Sequence, residues 1–116
     1  MDKHRKHLTD EAFRLIAARF RVLSDAMRLK IIHCLQDREH TVTELIGATG
    51  GEQANVSKHL GILLANGLVN RRREGTSAFY SVVDPAIFDL CRNVCSSLGE
   101  QLASDQDAIR SFSRNR

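Results

Sequence analysis

Tryptophan is absent from this sequence, and aromatic residues make up only 5% of it. The core of a 116-residue chain must then be built from Leu, Ile, Val and Ala. That points to helices, and to burial shared with a second subunit, because a chain this short covers little apolar surface alone. No apolar run approaches the roughly 20 residues of a membrane span. The first residues, Met1 to His7, are charged and lack the apolar stretch of a signal peptide. The expected location is the cytoplasm, where three cysteines read as thiols and not as a disulfide framework. There is no C-x-x-C pair, no glycine-rich phosphate loop and no Cys-His-acid order in a strand context, so nothing supports an enzyme. Internal repeats and low-complexity linkers are missing as well.

The remaining composition is that of an ordinary globular domain, 42% hydrophobic and 27% charged. A net charge of +3 is a weak pointer to nucleic acid. Its distribution says more. Between Gly51 and Tyr80 the basic residues Lys58, Arg71, Arg72 and Arg73 face only Glu52 and Glu74, while Asp84, Asp89, Glu100, Asp105 and Asp107 lie further on. A locally basic middle in a mixed chain is the pattern of a phosphate-contacting surface.

Residues 1–8 read as a loose basic arm, 9–102 as the folded domain and 103–116 as a polar C-terminal tail. Thr9 caps a first helix carrying Phe13, Ile16, Ala17 and Phe20 at helical spacing. Ser24 or Asp25 starts a second, running to about Leu35, so apolar all round that it belongs in the core. Gln36 to His40 reads as a loop. Thr41 caps a short third helix, which Thr49-Gly50-Gly51 must stop. A fourth runs from about Glu52 to Asn66, anchored by Val56, Leu60, Leu63 and Leu64 and closed by Asn66-Gly67. Two extended runs around Gly75 predict a β-hairpin. Asp84-Pro85 opens the last helix, with Ile87, Leu90, Cys91, Val94, Leu98 and Leu102 in one stripe.

A short helix, a glycine turn, a second helix and a hairpin is the order of a winged helix-turn-helix. The fold class is therefore mainly α with a small β-hairpin wing. In the recognition helix, apolar anchors would hold the core while Gln53, Asn55, Ser57, Lys58 and His59 face a groove. Gln and Asn read an adenine edge through two hydrogen bonds, and Ser and Lys hold phosphates. The wing offers Arg71, Arg72, Arg73 and a tip of Gly75, Thr76 and Ser77 to the adjacent backbone or minor groove. Strand alternation turns at least one of the three arginines away from DNA.

Four stretches of this chain resemble the ArsR/SmtB family of regulators. They are Phe20 to Leu29; Asn55-Val56-Ser57-Lys58-His59-Leu60-Gly61-Ile62-Leu63; Asn66-Gly67-Leu68-Val69; and Arg73-Glu74-Gly75 with Phe79-Tyr80. The likeness covers about residues 13 to 102. It implies a homodimer paired through the first and last helices, and a repressor that leaves its operator, an inverted repeat in double-stranded DNA, when an inducer binds. Ala26 stands where proline is common, and Gly51-Glu52 where a Leu-Ser pair usually begins the recognition helix. Of the two effector sites that recur in the family, one places cysteines on the short third helix. Here that stretch is His40 to Leu45, without a thiol. The other uses Asp and His residues of the last helix, at positions matching Asp84, Ala86, Ser97 and Glu100. Two oxygen ligands remain there and both histidines are missing, whereas zinc prefers His or Cys.

What this chain offers an inducer is Cys91 and Cys95, four apart and so neighbours on one helix. Two thiolates at that spacing suit a thiophilic metal ion or arsenite, with Cys34 or a group from the partner subunit as a third ligand. Two other readings stay open: thiol-redox or reactive-sulfur sensing, and plain packing, since free Cys behaves as a small hydrophobe. In the sulfur-sensing members the core-helix thiol falls at His33 instead of Cys34, and the other nearer Gly99. No other cofactor is expected.

Overall fold

The computed structural model describes the backbone of residues 7–114 and the side chains of 7–107 and 110. Most of the expected basic arm, His4 included, lies outside the described residues. The chain divides into two compact units, one ending at Val83 and one beginning at Asp84.

The first unit holds α1 (Asp10–Leu23), α2 (Ala26–Cys34), β1 (His40–Thr41), α3 (Val42–Thr49), α4 (Gln53–Ala65), β2 (Val69–Glu74) and β3 (Ser77–Val82). Short-range hydrogen bonds set the helix starts. The Thr9 hydroxyl accepts from the Ala12 amide at 3.0 Å, and the Asp25 carboxylate accepts from the Arg28 amide at 3.1 Å. Thr41 and Glu44 form a reciprocal capping box at the head of α3. Gly50 ends α3 in the left-handed region, at φ 72°, where a side chain would be strained.

The core lies between α2, α3 and α4 and against the base of the sheet. Ile31, Ile32, Leu45, Val56, Leu60 and Leu63 are buried, with Leu68, Val69 and Tyr80. Helix α2 is central as expected from its sequence, although Leu29 remains on its exposed side. Leu60 and Leu63 come from the same helix that carries Gln53, Asn55, Ser57 and Lys58, so core packing fixes how those residues are presented.

The sheet has one strand more than the sequence reading expected. His40 and Thr41, expected in or beside a loop, pair as β1 with Tyr80 and Thr41's partner Phe79, giving the antiparallel order β1-β3-β2. The hairpin closes through Gly75 and Thr76, with Glu74 paired to Ser77. Gly75 has φ 61° and Thr76 is not in the positive region, the pattern of a type II′ turn.

The second unit is α5 (Ala86–Arg114). The Asp84 carboxylate accepts from the Ala86 amide at 2.9 Å and starts the helix just after Pro85. The polar segment from 103 on continues the same helix, and no Pro or Gly between 103 and 114 interrupts it. Along α5, Val94, Leu98 and Leu102 are exposed at four-residue spacing. On α1, Phe13, Ile16 and Phe20 are likewise exposed. No helix among the described residues is long and apolar enough to cross a membrane.

Candidate nucleic-acid interface

Helix α4 is two-sided. Val56, Leu60 and Leu63 point into the core, while Gln53, Asn55, Ser57 and Lys58 are exposed. The turn that delivers the helix is tight. A Cβ on Gly51 would lie 2.9 Å from both Met27 Cε and Val56 Cγ2, so glycine lets the α3–α4 turn close on the α2 packing surface. No side chain caps the first turn of α4, which leaves its amide hydrogens available to an anion.

His59 departs from the sequence expectation. Expected to face the groove, it is only 7% exposed. Its Nε2 lies 3.8 Å from Asp25 Oδ1 at the head of α2, and its Nδ1 is buried with no hydrogen-bond partner. The reason is spacing: His59 stands three after Val56 and four before Leu63, on the inward face of the helix. The Arg28 amide, and then the His59 ring, hold the Asp25 carboxyl below its ordinary value against the opposing effect of burial.

On the wing, Arg71 is paired with Tyr80, Arg72 with Phe79 and Arg73 with Ala78. Cross-strand partners share a face and successive residues alternate. Arg71 and Arg73 therefore lie on the side of buried Val69 and Tyr80, beyond the edge of the core, and both are exposed. Arg72 lies on the other side. Its Nε donates to Glu39 at 3.0 and 2.9 Å, its Nη2 donates to Glu39 Oε1, and its Nη1 donates to Glu74 Oε2 at 2.7 Å. These bonds, first from Glu39 and then from Glu74, push the guanidinium pKa further up. Arg72 thus does not present an unpaired charge alongside its neighbours. Nothing near Arg72 in the sequence announced the contact, because Glu39 is 33 residues away. Gly75, Thr76 and Ser77 are exposed at the wing tip.

Of the three cysteines, Cys34 belongs to the first unit and Cys91 and Cys95 to the second. Cys34 ends α2 in the first unit and is half-buried; burial, and then the Asp37 charge, push its thiol pKa up. Cys91 is half-buried and Cys95 exposed on α5. Among the described residues, no group of three or more His, Cys, Asp or Glu side chains is arranged to hold a metal ion. At the family's other effector positions, the Asp84 carboxylate already caps α5, while Ser97 and Glu100 are exposed.

A family model described as "Bacterial regulatory protein, arsR family" matches residues 25–71, from the cap of α2 through the first half of β2. The transcriptional regulator KmtR of Mycobacterium tuberculosis is 41% identical over 73 residues, 63% of this chain and 56% of its own length. A repressor assigned to a mercury resistance operon in Streptomyces lividans is 41% identical over 71 residues, 61% of this chain and 57% of that protein. This chain thus spans little more than half of those two relatives. The M. tuberculosis regulator Rv0081 is 31% identical over 102 residues, covering 87% of this chain and 89% of its own. Its crystal structure superposes with a TM-score of 0.74 over 83% of this chain and 97% of the other, at 31% identity. The solution structure of Mb0332 from Mycobacterium bovis, a homodimeric winged helix-turn-helix DNA-binding domain, superposes with a TM-score of 0.71 at 26% identity, over 86% of this chain and 95% of that domain. The fold is thus shared over most of its length with a relative of nearly equal length. This chain belongs to the arsR family of bacterial regulatory proteins, with a winged helix-turn-helix fold, and is a regulator of transcription and not an enzyme.

Proposed function

We propose that the protein is a homodimeric repressor of transcription that binds an inverted repeat in double-stranded DNA and is released when the thiols of Cys91 and Cys95 take up a thiophilic metal ion or arsenite. The observation that carries the DNA-binding part is the exposed row Gln53, Asn55, Ser57 and Lys58 in front of the buried anchors Val56, Leu60 and Leu63. Rigid anchoring matters because base readout depends on placing short side chains against a base edge. Gln53 and Asn55 have the two-ended amides that read adenine. Ser57, Lys58 and the exposed wing tip Gly75-Thr76-Ser77 would meet backbone phosphates.

The exposed apolar stripes on α1 and on α5 support the dimer, since each leaves large side chains in water that a second copy would cover. Two recognition helices about one DNA turn apart, roughly 34 Å, would then read the two half-sites. Support for the sensor is the spacing of Cys91 and Cys95, one helical turn apart with Cys95 open to solvent. The mercury-operon relative adds to it. With Cys91 and Cys95 supplying two thiolates, a third ligand would come from Cys34 or from the partner subunit.

Fluorescence anisotropy on DNA from upstream of the protein's own gene tests both parts. Lys58→Ala is expected to weaken binding across all sequences and flatten its salt dependence, and Gln53→Ala or Asn55→Ala to relax preference at particular base pairs. Mercuric ion or arsenite is expected to lower the parent's affinity by about 5- to 150-fold, the usual range of allosteric coupling. Cys91→Ser and Cys95→Ser should each abolish that response and leave DNA affinity intact. Binding by Lys58→Ala, Gln53→Ala and Asn55→Ala that matches the parent would overturn the placement of the interface. A double serine variant that still responds would remove the cysteines from sensing. A response to polysulfide but not to metals, with a covalent link between cysteines in the mass spectrum, would replace the metal by sulfur chemistry.

A further inference from the structure

Arg72 differs from its neighbours in what it touches. Its guanidinium carbon lies 4.6 Å from the centroid of the Phe79 ring, its cross-strand partner. One edge of the guanidinium grips the Glu39 carboxylate and the other end reaches Glu74. Glu39 immediately precedes β1, whose ladder to the hairpin consists only of His40–Tyr80 and Thr41–Phe79. The grip therefore joins the hairpin to the segment leading into α3, across the weakest part of the sheet. Planar stacking and a two-pronged carboxylate contact are what a guanidinium does well and an ammonium does not. The cluster also has the wrong sign for a phosphate contact. One cation and two carboxylates leave it with an excess of one negative charge. Arg71 and Arg73, on the opposite face, have no ion pair among the described residues.

We propose that Arg72 is a positioning residue that fastens the wing to the β1 edge, and that the arginine contacts of the wing with DNA phosphates come from Arg71 and Arg73 alone. This assignment rests on the DNA-binding function proposed above. It predicts that the three adjacent arginines behave differently although their charges are the same. Losing Arg71 or Arg73 removes counterion release. Losing Arg72 leaves the phosphate contacts in place but lets the hairpin that carries them swing.

The test uses a charge-neutral pair of substitutions, Glu39→Gln with Arg72→Gln, in the full chain. It has two readouts: the salt dependence of DNA affinity, and backbone hydrogen exchange of the His40–Tyr80 pair without DNA, since the Thr41 amide already donates to Glu44 in the capping box. Arg71→Ala and Arg73→Ala should each lower the slope of log affinity against log salt by about 1.8, from two wings per dimer at about 0.9 per phosphate contact. The double glutamine variant should keep the parent slope and bind about two- to fivefold more weakly, the scale on which exposed ion pairs hold geometry. It should also exchange faster at the two amides. Restoring the pair in reverse, as Glu39→Arg with Arg72→Glu in a Glu74→Gln background, should recover affinity and slow exchange relative to the same background with Arg72→Gln. A slope that falls in the double glutamine variant as far as in Arg71→Ala would overturn the assignment. So would unchanged exchange, which would show that the pair fastens nothing. If the parent bound no DNA, the proposed function would fail, and hydrogen exchange would still decide whether Arg72 holds the wing.

Discussion

Replacing His59 decides between the face that its chemistry suggests and the face on which it is found. The ring is 7% exposed beneath α4, with Nδ1 buried and unpartnered. Its Nε2 stands 3.8 Å from Asp25, beyond hydrogen-bonding range. Truncation to alanine removes a buried ring from a close-packed layer. Full burial of a side chain of this size is worth about 1.5–3 kcal/mol. The unpartnered nitrogen offsets part of that, because an unsatisfied buried polar atom costs about 1–3 kcal/mol. His59→Ala is therefore expected to lower stability by about 1–2 kcal/mol, less than a Leu→Ala change in the same core. At about 4–8 °C per kcal/mol for a domain of this size, the melting temperature should fall by roughly 5–15 °C. His59→Leu fills the space without an orphaned polar atom and should melt at or above the parent temperature. It also removes one of the charges that hold the Asp25 carboxyl down, so Asp25 should titrate at higher pH than in the parent, although the Arg28 amide remains. Thermal unfolding followed by circular dichroism gives the first result and a carboxyl-detected NMR titration the second. Neither variant should change the salt slope of DNA binding. A His59→Leu protein with parental stability and a slope lowered by about 1.8 would place the ring against phosphate, and the inward assignment would be wrong.

Three further outcomes follow from particular side chains. Hydrogen bonds from Arg38, and then from the Thr41 amide, hold Glu44 at about 2 against an ordinary value of 4.5. Because the folded value is depressed, the contribution of the capping box is complete above 4.5 and is lost as pH falls towards 2. Acid unfolding of Glu44→Gln should be correspondingly less steep in that window. The Cys34 thiol, with its pKa raised by burial and by Asp37, should react with iodoacetamide at neutral pH more slowly than exposed Cys95; peptide mass spectrometry under limiting reagent would show the reverse order if the thiol were a sensor. Phe20→Asp, on the exposed face of α1, should shift sedimentation from dimer to monomer at micromolar concentration and weaken operator binding, whereas unchanged sedimentation would move the subunit contact away from α1.

Much of this protein follows from interactions only a few residues long. Thr9, Asp25 and Thr41 each cap a helix by accepting from an amide three positions on. Gly50 and Gly75 turn the chain because their φ angles disfavour any side chain. Such contacts need nothing beyond the local chain, so the order of the helices and the hairpin, the bounds of α4 to within a residue and the exposed Gln53, Asn55, Ser57 and Lys58 could be read directly. Three matters were decided only when distant segments met. A histidine tolerates either side of an amphipathic helix, and the packing of α4 against α2 put His59 inside beside Asp25. A two-residue strand has no periodicity to detect, so β1 emerged only through its pairing with β3. Three adjacent arginines look alike in a sequence, but strand alternation separates one from the other two, and a carboxylate 33 residues away holds that one in place. Charge pattern alone carries the presence of a basic wing; which of its charges is left for DNA depends on long-range pairing, because an ion pair forms only where the folded backbone brings both partners within reach.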